Sequence, residues 1–281
     1  MSDPAQSPGA RMYEEFVAIH AVLRRGTRLV VDAYERLADG HDTDTATLVD
    51  AGRWLLAFTH AHHKAEDDLF WPVLEALYPD ARAQLKELSD DHVVLDRRLN
   101  ALETAIDALD EATKAGRATG GTDGARAGAE AARQVHQVLD GHLTAEEAVV
   151  EDLFPGVPAD DIDRLREAFV QGSPRFGLHF MFGLLDDPEP ARGRDLLTEN
   201  FPPQLRAAGP RLISQYEARH PGTAGRSRRR FGPTGHIRRS PVVIAATDPL
   251  RPPSPSRRLS QRFPLGPIRR GPRSMTRSCT F

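Results

Sequence analysis

The sequence predicts an all-α protein: an up-down-up-down four-helix bundle with a C-terminal helical flank and a disordered basic tail. Apolar residues recur at steps of three and four over four long segments, which is typical of amphipathic helices. No stretch of the sequence shows the strict alternation of a half-buried strand. The breaks between the first three segments are short, so consecutive helices should be antiparallel neighbours.

The bundle is predicted to span residues 10–155, after a polar start, 1–9, that we expect to be disordered. Its four helices are separated by an Asp-Gly-His-Asp break, a Tyr-Pro-Asp break and a Gly-rich linker near 115–124. The apolar stripes of the four helices cover, in order, 16–37, 48–73, 85–109 and 135–153.

A less regular region, 156–221, follows the bundle. Short helices are predicted at 159–171 and 176–185, and a longer one at 204–220, with Pro, Gly and Asp between them. We expect this extension to pack on the bundle as a lid or flank, because it carries too little apolar pattern for a core of its own.

The last segment, 222–281, has an opposite charge to the rest of the chain. It contains 14 Arg, no Lys and a single acid, Asp248, so it carries +13 and residues 1–221 carry -16. The acidic body argues against a nucleic-acid partner, and only the basic tail offers a surface for one. The tail is predicted to be disordered. It is an electrostatic arm, a solvated segment without a role, or an artefact of out-of-frame translation of GC-rich DNA.

Several classes of protein are excluded by composition. No apolar run approaches the roughly 20 residues of a membrane helix, and the start of the chain lacks a signal pattern, so we expect a cytoplasmic protein without a membrane partner. The single cysteine, Cys279, excludes a disulfide scaffold and a thiolate metal cage. Any metal site must therefore be built from carboxylates and some of the 11 histidines.

Polar residues interrupt the apolar stripes at core positions. Each bundle helix contributes one inward histidine, and the second and fourth each add a glutamate one turn later on the same face. A helix rises about 1.5 Å per residue, so the number of residues between a side chain and the nearest turn gives its depth in the bundle. These depths place all six side chains in one layer of the interior. The residues are His20, His62, Glu66, His92, His142 and Glu146.

This layer predicts a metal site. A single histidine on an apolar face is usually a satisfied core residue, and a single buried glutamate can be half of an ion pair. Here no inward Lys or Arg accompanies the two acids, and burying an unpaired carboxylate costs several kcal/mol. Imidazole and carboxylate together suit Fe, Mn or Zn, and two carboxylates that can bridge favour a pair of ions.

The motifs resemble those of a known family. The second helix reads His-His-x-x-Glu-Asp followed by Leu-Phe and Pro, the third carries Asp-His, and the fourth carries His-x-x-x-Glu. Together with the histidine of the first helix, this set resembles the hemerythrin-like (HHE cation-binding) family over residues 10–155. The resemblance implies a non-haem di-iron centre held by the six residues above, with Glu66 and Glu146 as bridges.

One position departs from the oxygen-carrying members of that family. They have His-x-x-x-His on the third helix, whereas Asp96 stands four residues after His92 here. The missing ligand could come from His63, from Asp96 or from solvent, and His63 lies off the strict stripe, as a flank residue would. The chain is therefore closer to the regulatory and iron-responsive members than to the carriers.

The resemblance implies a protein that binds or senses O2, NO or peroxide at a di-iron centre. An alternative is an enzyme, a di-iron peroxidase or oxidase that consumes reactive oxygen species. A third hypothesis is a scaffold that uses one metal only for folding. The sequence favours the binding protein over the enzyme and does not fix the oligomeric state.

Overall fold

A computed structural model describes residues 7–220, and all regular secondary structure in this range is helical. The prediction of an all-α protein is therefore confirmed. The predicted tail, 222–281, and the first six residues lie outside the described range. No helix in the described range is long and apolar enough to cross a membrane.

Four long helices and five shorter ones carry most of the described chain, together with a π-helical turn after the second. In order they are α1 (Pro8–Ala38), α2 (Thr45–Ala65), a π-helical turn (Glu66–Phe70), α3 (Trp71–Leu77), α4 (Arg82–Lys114), α5 (Asp123–Leu153), α6 (Ala159–Gly172), α7 (Leu178–Asp186), α8 (Arg194–Glu199) and α9 (Pro203–Arg219). Short 3-10 turns, Pro79–Ala81 and Phe154–Gly156, precede α4 and follow α5.

Side-chain caps fix where three of the long helices begin. Ser7 accepts a hydrogen bond from the backbone N–H of Ala10 at 3.1 Å, so α1 starts at Pro8, two residues before the predicted start. Asp44 and Thr122 cap α2 and α5 in the same way. Each cap satisfies one of the N–H groups that a helix start leaves without a partner.

The second helix is not continuous, although its apolar stripe predicts one helix as far as residue 73. The backbone widens to a π-helical turn at Glu66–Phe70, where the N–H of Trp71 bonds to the carbonyl of Glu66. Pro72 explains the wider turn, because it has no N–H to donate and its ring would crowd the carbonyl of Asp68 in a regular helix. The wide turn therefore begins at the glutamate of the His-His-x-x-Glu motif.

The four long helices pack in a ring, in which α1 and α4 each contact α2 and α5. Their interior contains two separate apolar clusters. One lies around Phe16, Phe70 and Phe154, and the other around Tyr34, Trp54 and Leu99. The inward histidines and glutamates lie near the boundary of the two clusters, as His92 does between Leu88 and Leu95 on α4. The bundle thus encloses one buried polar layer between two apolar ones.

The C-terminal helices pack on the bundle. The most apolar of them, α7, contacts α1 and α9, and its Phe180 lies 5.3 Å from the ring of Trp54 on α2. Three of these helices were expected from the sequence, but the six-residue α8 has too few turns to give a periodic signal. The extension therefore covers one side of α1 and α2 at the level of the polar layer and beyond.

Candidate metal centre

Four side chains form the first half of the polar layer. His20, His62, Glu66 and Glu146 each offer a ligand atom, and these atoms all lie within 4.8 Å of one another. Nε2 of His62 is 2.9 Å from Oε1 of Glu66, and Nε2 of His20 is 3.6 Å from Oε2 of Glu146. All four residues are buried, with at most 2% of their surface exposed.

Three histidines form the second half. His63, His92 and His142 offer ring nitrogens that also lie within 4.8 Å of one another. Nε2 of His92 and Nε2 of His142 are 3.1 Å apart, and the rings of His63 and His92 stack with centroids 4.2 Å apart. This group differs from the first in containing no carboxylate of its own.

The two glutamates face both groups. Glu66 directs Oε1 to His62 and has Oε2 3.6 Å from Nε2 of His92. Glu146 has Oε2 near His20, and its Oε1 is 3.4 Å from Nε2 of His142. Each carboxylate therefore spans the two groups with one oxygen on each side, which is the arrangement a bridging ligand needs.

The structure brings together all six residues that the sequence singled out. It also brings in His63, which sequence analysis considered as a possible additional ligand although it lies off the strict stripe. The inner face of α2 is wide here, because this helix packs against both α1 and α4. His62 therefore meets His20 of α1, with ring centroids 5.1 Å apart, while the adjacent His63 meets His92 of α4.

Asp96, the other additional ligand considered from the sequence, is not part of either group. Its carboxylate is exposed and lies 3.7 Å from Nε2 of His60, which is also exposed. The core stripe of α4 steps by three from His92 to Leu95, and this leaves residue 96 on the flank of the helix. Of the two residues considered for the missing position, the geometry favours His63.

Outward-facing carboxylates hold two of the histidines. Nδ1 of His92 donates to Oδ2 of Asp67 at 2.9 Å, and Ser89 donates to the other oxygen of Asp67. Nδ1 of His20 donates to Glu147 at 2.9 Å. These bonds direct Nε2 of both rings into the interior of the layer, where each can act as a metal ligand once it carries no proton.

Sequence analysis missed Asp67 and Glu147 as functional residues. Each follows directly after an inward glutamate, in the pairs Glu66-Asp67 and Glu146-Glu147, and that doubling of acids was the available signal. Arg24 pairs with Glu147 at 2.5 Å and with Asp140 at 2.7 Å, so α1 and α5 are tied together beside the layer.

Burial and neighbouring charges both shift the pKa values of groups in the layer. Burial lowers the pKa of both His20 and His62 to about 4, so both rings are neutral at pH 7. Burial, together with the charge of Glu146, raises the pKa of Glu66 well above 4.5. Burial would also lower the pKa of His92, but Glu146, Glu66 and Asp67 outweigh it and raise the pKa to about 9.

A bound cation would satisfy the groups that this layer leaves without hydrogen bonds. Among the described residues, both carboxylate oxygens of Glu66 and Glu146 and the inward Nε2 atoms of His20 and His62 are buried without a hydrogen-bond partner. No Lys or Arg in this part of the chain pairs with either glutamate. Buried polar groups normally have partners, and a metal ion supplies one to all of these atoms at once.

Asp67→Asn should weaken metal binding by about 10–100-fold, because an amide holds the His92 ring less firmly and lowers its basicity. Competition with a chelator of known affinity measures the change. The control is Asp68→Asn, since Asp68 is exposed and pairs only with Lys64 among the described residues. Equal metal affinity of the Asp67→Asn variant and the wild type would contradict the role given to Asp67.

The fold and the site together define a helical domain whose buried imidazoles and carboxylates could hold a metal cation. Residues 11–149 match the family model of the hemerythrin HHE cation binding domain, so this part of the chain belongs to that family. The resemblance inferred from the motifs is therefore confirmed. Comparisons with curated proteins and with solved structures gave no match.

Proposed function

We propose that the layer binds two iron ions and that the protein thereby binds or senses O2, NO or peroxide. The observation that carries the proposal is the position of Glu66 and Glu146, each with one oxygen toward either group of ligands. Two bridging carboxylates suit two cations better than one. Five imidazoles and two carboxylates complete the donor set.

The division of ligands follows the two groups. His20 and His62 would hold one ion, and His63, His92 and His142 would hold the other, with both glutamates shared. In oxygen carriers of this family, a second histidine on the third helix of the bundle supplies a further ligand. In this chain His63 of α2 takes the place of that histidine. The proposal includes an up-down-up-down order of the long helices, supported by paired contacts such as Arg24–Asp140 and Glu35–Arg133.

The surroundings of the layer suit a site for small ligands. When bound, a pair of iron ions supplies electrons to O2, NO or peroxide. The chain's own residues exclude water: Phe16 lies 4.2 Å from the His20 ring, and Phe70 and Phe154 lie behind it in the same apolar cluster. Glu147 and Asp67 hold the rings of His20 and His92 in position, so these two rings need little reorganisation when a ligand arrives.

The test is metal analysis and an optical spectrum of anaerobically purified protein, before and after addition of O2, NO or peroxide. We expect about two Fe per chain and a change of spectrum with at least one of the three ligands. His60→Ala, which removes an exposed histidine of α2, should behave as the wild type. About one ion per chain, or a spectrum that none of the three ligands changes, would contradict the proposal.

The same preparation separates the binding protein from the enzyme considered above. A binding protein consumes about one equivalent of peroxide per metal site and then stops. Consumption of many equivalents at a constant rate, lost in the Glu66→Gln variant, would instead assign a peroxidase or oxidase activity to the layer.

A further inference from the structure

A cavity of about 120 Å³ lies between the bundle and the C-terminal helices. Its walls come from α1, α2 and the π-helical turn on one side and from α6 to α9 on the other. Protein interiors leave few voids larger than a water molecule, so a cavity of this size is a distinct feature of the packing. Its walls are mainly aromatic and aliphatic, including Trp54, Phe58, Phe169, Met181, Phe182 and Leu197.

The cavity reaches the metal centre at one edge only. His62 and Glu66 line it, whereas the histidines of the second group do not. Both residues are buried and both offer atoms without hydrogen-bond partners among the described residues. A molecule in the cavity would therefore lie against the first group of ligands.

The remaining charges of the cavity are balanced or lie at its rim. The buried Glu15 accepts two hydrogen bonds from the partly exposed Arg166, each of 2.9 Å, so the two charges neutralise each other. Arg175 is the other charged lining residue, and it is exposed. Outside the metal centre the interior thus offers no unpaired charge to a ligand, which favours a neutral molecule over an ion.

We propose that this cavity binds a neutral, apolar organic molecule of about the size of one aromatic ring. An apolar cavity of about 150 Å³ is known to stay dry and to accept benzene, so this one is of suitable size. Water is disfavoured as the occupant, because it needs two to four polar partners. The proposed site adds an organic ligand to the small ligands of the metal centre, and its apolar walls do not depend on bound metal.

The probe is fluorobenzene, titrated into the full-length protein and followed by fluorine NMR. We expect saturable binding to the wild type. Val170→Phe on α6 and Leu205→Trp on α9 fill the cavity from separate helices and should weaken binding by at least about tenfold. The matched control is Val93→Phe, the same substitution as in α6, at a position of α4 that is 54% exposed and outside the cavity.

Helical circular dichroism of each variant shows whether it folds, and using two filled variants keeps the test decisive if one does not. The proposal would be overturned if the wild type showed no saturable binding, or if both filled variants bound fluorobenzene as tightly as the wild type does. Benzoate carries the same ring with a charge and should bind at least about tenfold more weakly. Benzoate binding as tightly as fluorobenzene would also overturn it.

Iron content, measured on the same preparation, keeps this result separate from the proposed function. Fluorobenzene binding should survive removal of metal by a chelator. A chain that binds fluorobenzene but holds no iron would refute the di-iron centre and leave the cavity site standing. A chain that holds iron but does not bind fluorobenzene would refute the cavity site and leave the di-iron centre standing.

Discussion

Glu66→Gln is expected to lose most of the bound iron, with binding weakened by at least about 100-fold. A neutral amide has one oxygen able to act as a ligand, so it cannot join the groups around His62 and His92 as the carboxylate can. Metal content after dialysis against a weak chelator measures the loss. Glu103→Gln, an exposed glutamate of α4, is the matched control and should keep its iron. Glu146→Gln should behave as Glu66→Gln does.

The same substitution should have the opposite effect on stability once metal has been removed. In the metal-depleted wild type, burial raises the pKa of Glu66 well above 4.5, so folding at neutral pH requires uptake of a proton or burial of a charge. Gln removes that cost, and we expect the variant to be more stable than the wild type by about 1–3 kcal/mol at pH 7. Urea unfolding of both metal-depleted proteins measures the difference.

The pH dependence of this gain has a definite sign. A carboxyl group whose pKa is raised by folding stabilises the protein below its unfolded pKa and loses that contribution as the pH rises. The advantage of Glu66→Gln should therefore shrink as the pH falls towards 4.5, the ordinary value for glutamate. A metal-depleted variant less stable than the wild type at pH 7 would mean that Glu66 makes a structural contact instead.

The polar layer could be predicted from the sequence because a helical stripe fixes which residues face inward. A histidine such as His92, with Leu88 four positions before it and Leu95 three positions after it, has one possible orientation in a packed bundle. The depth of each residue followed from its distance to the nearest turn. Both quantities depend on a single helix, so no knowledge of its neighbours was needed.

From the sequence, His63 could be named only as one of several possible sources of the missing ligand, since its burial depends on two neighbours at once. A helix packed against one partner has a narrow inner face, whereas α2 lies between α1 and α4 and buries adjacent residues of its turn. Asp67 depends in addition on the π-helical turn, which the apolar stripe does not reveal. Pro72 was the sequence signal for that turn, five residues beyond Asp67.

The cavity could not be predicted from the sequence. Its walls come from segments as distant in the chain as Phe16 and Leu205, and the pairing of Glu15 with Arg166 is equally remote. The short helices that supply one wall were expected only as a flank. Contacts of this kind follow from the docking of complete elements, which no local pattern records.

Removal of iron from the wild type should lower the melting temperature and loosen the layer more than the rest of the bundle. Iron that binds only the folded protein stabilises it by about 2.7 kcal/mol at a hundredfold excess over its dissociation constant, or roughly 5–10 °C for a domain of this size. Differential scanning calorimetry with and without a chelator measures the shift. Glu66→Gln, which holds little iron, should show almost none.

Hydrogen exchange locates the effect along the chain. Without a cation, the buried oxygens of Glu66 and Glu146 must be protonated, remain charged without partners, or draw water into the layer. The third outcome opens the helices locally, so residues 59–69 and 139–149 should lose protection on chelation. Residues 99–109 of α4 lie in the apolar cluster beyond the layer and should change little. Equal protection with and without iron would mean that these histidines and glutamates are ordinary core residues, and the metal centre would have to be abandoned.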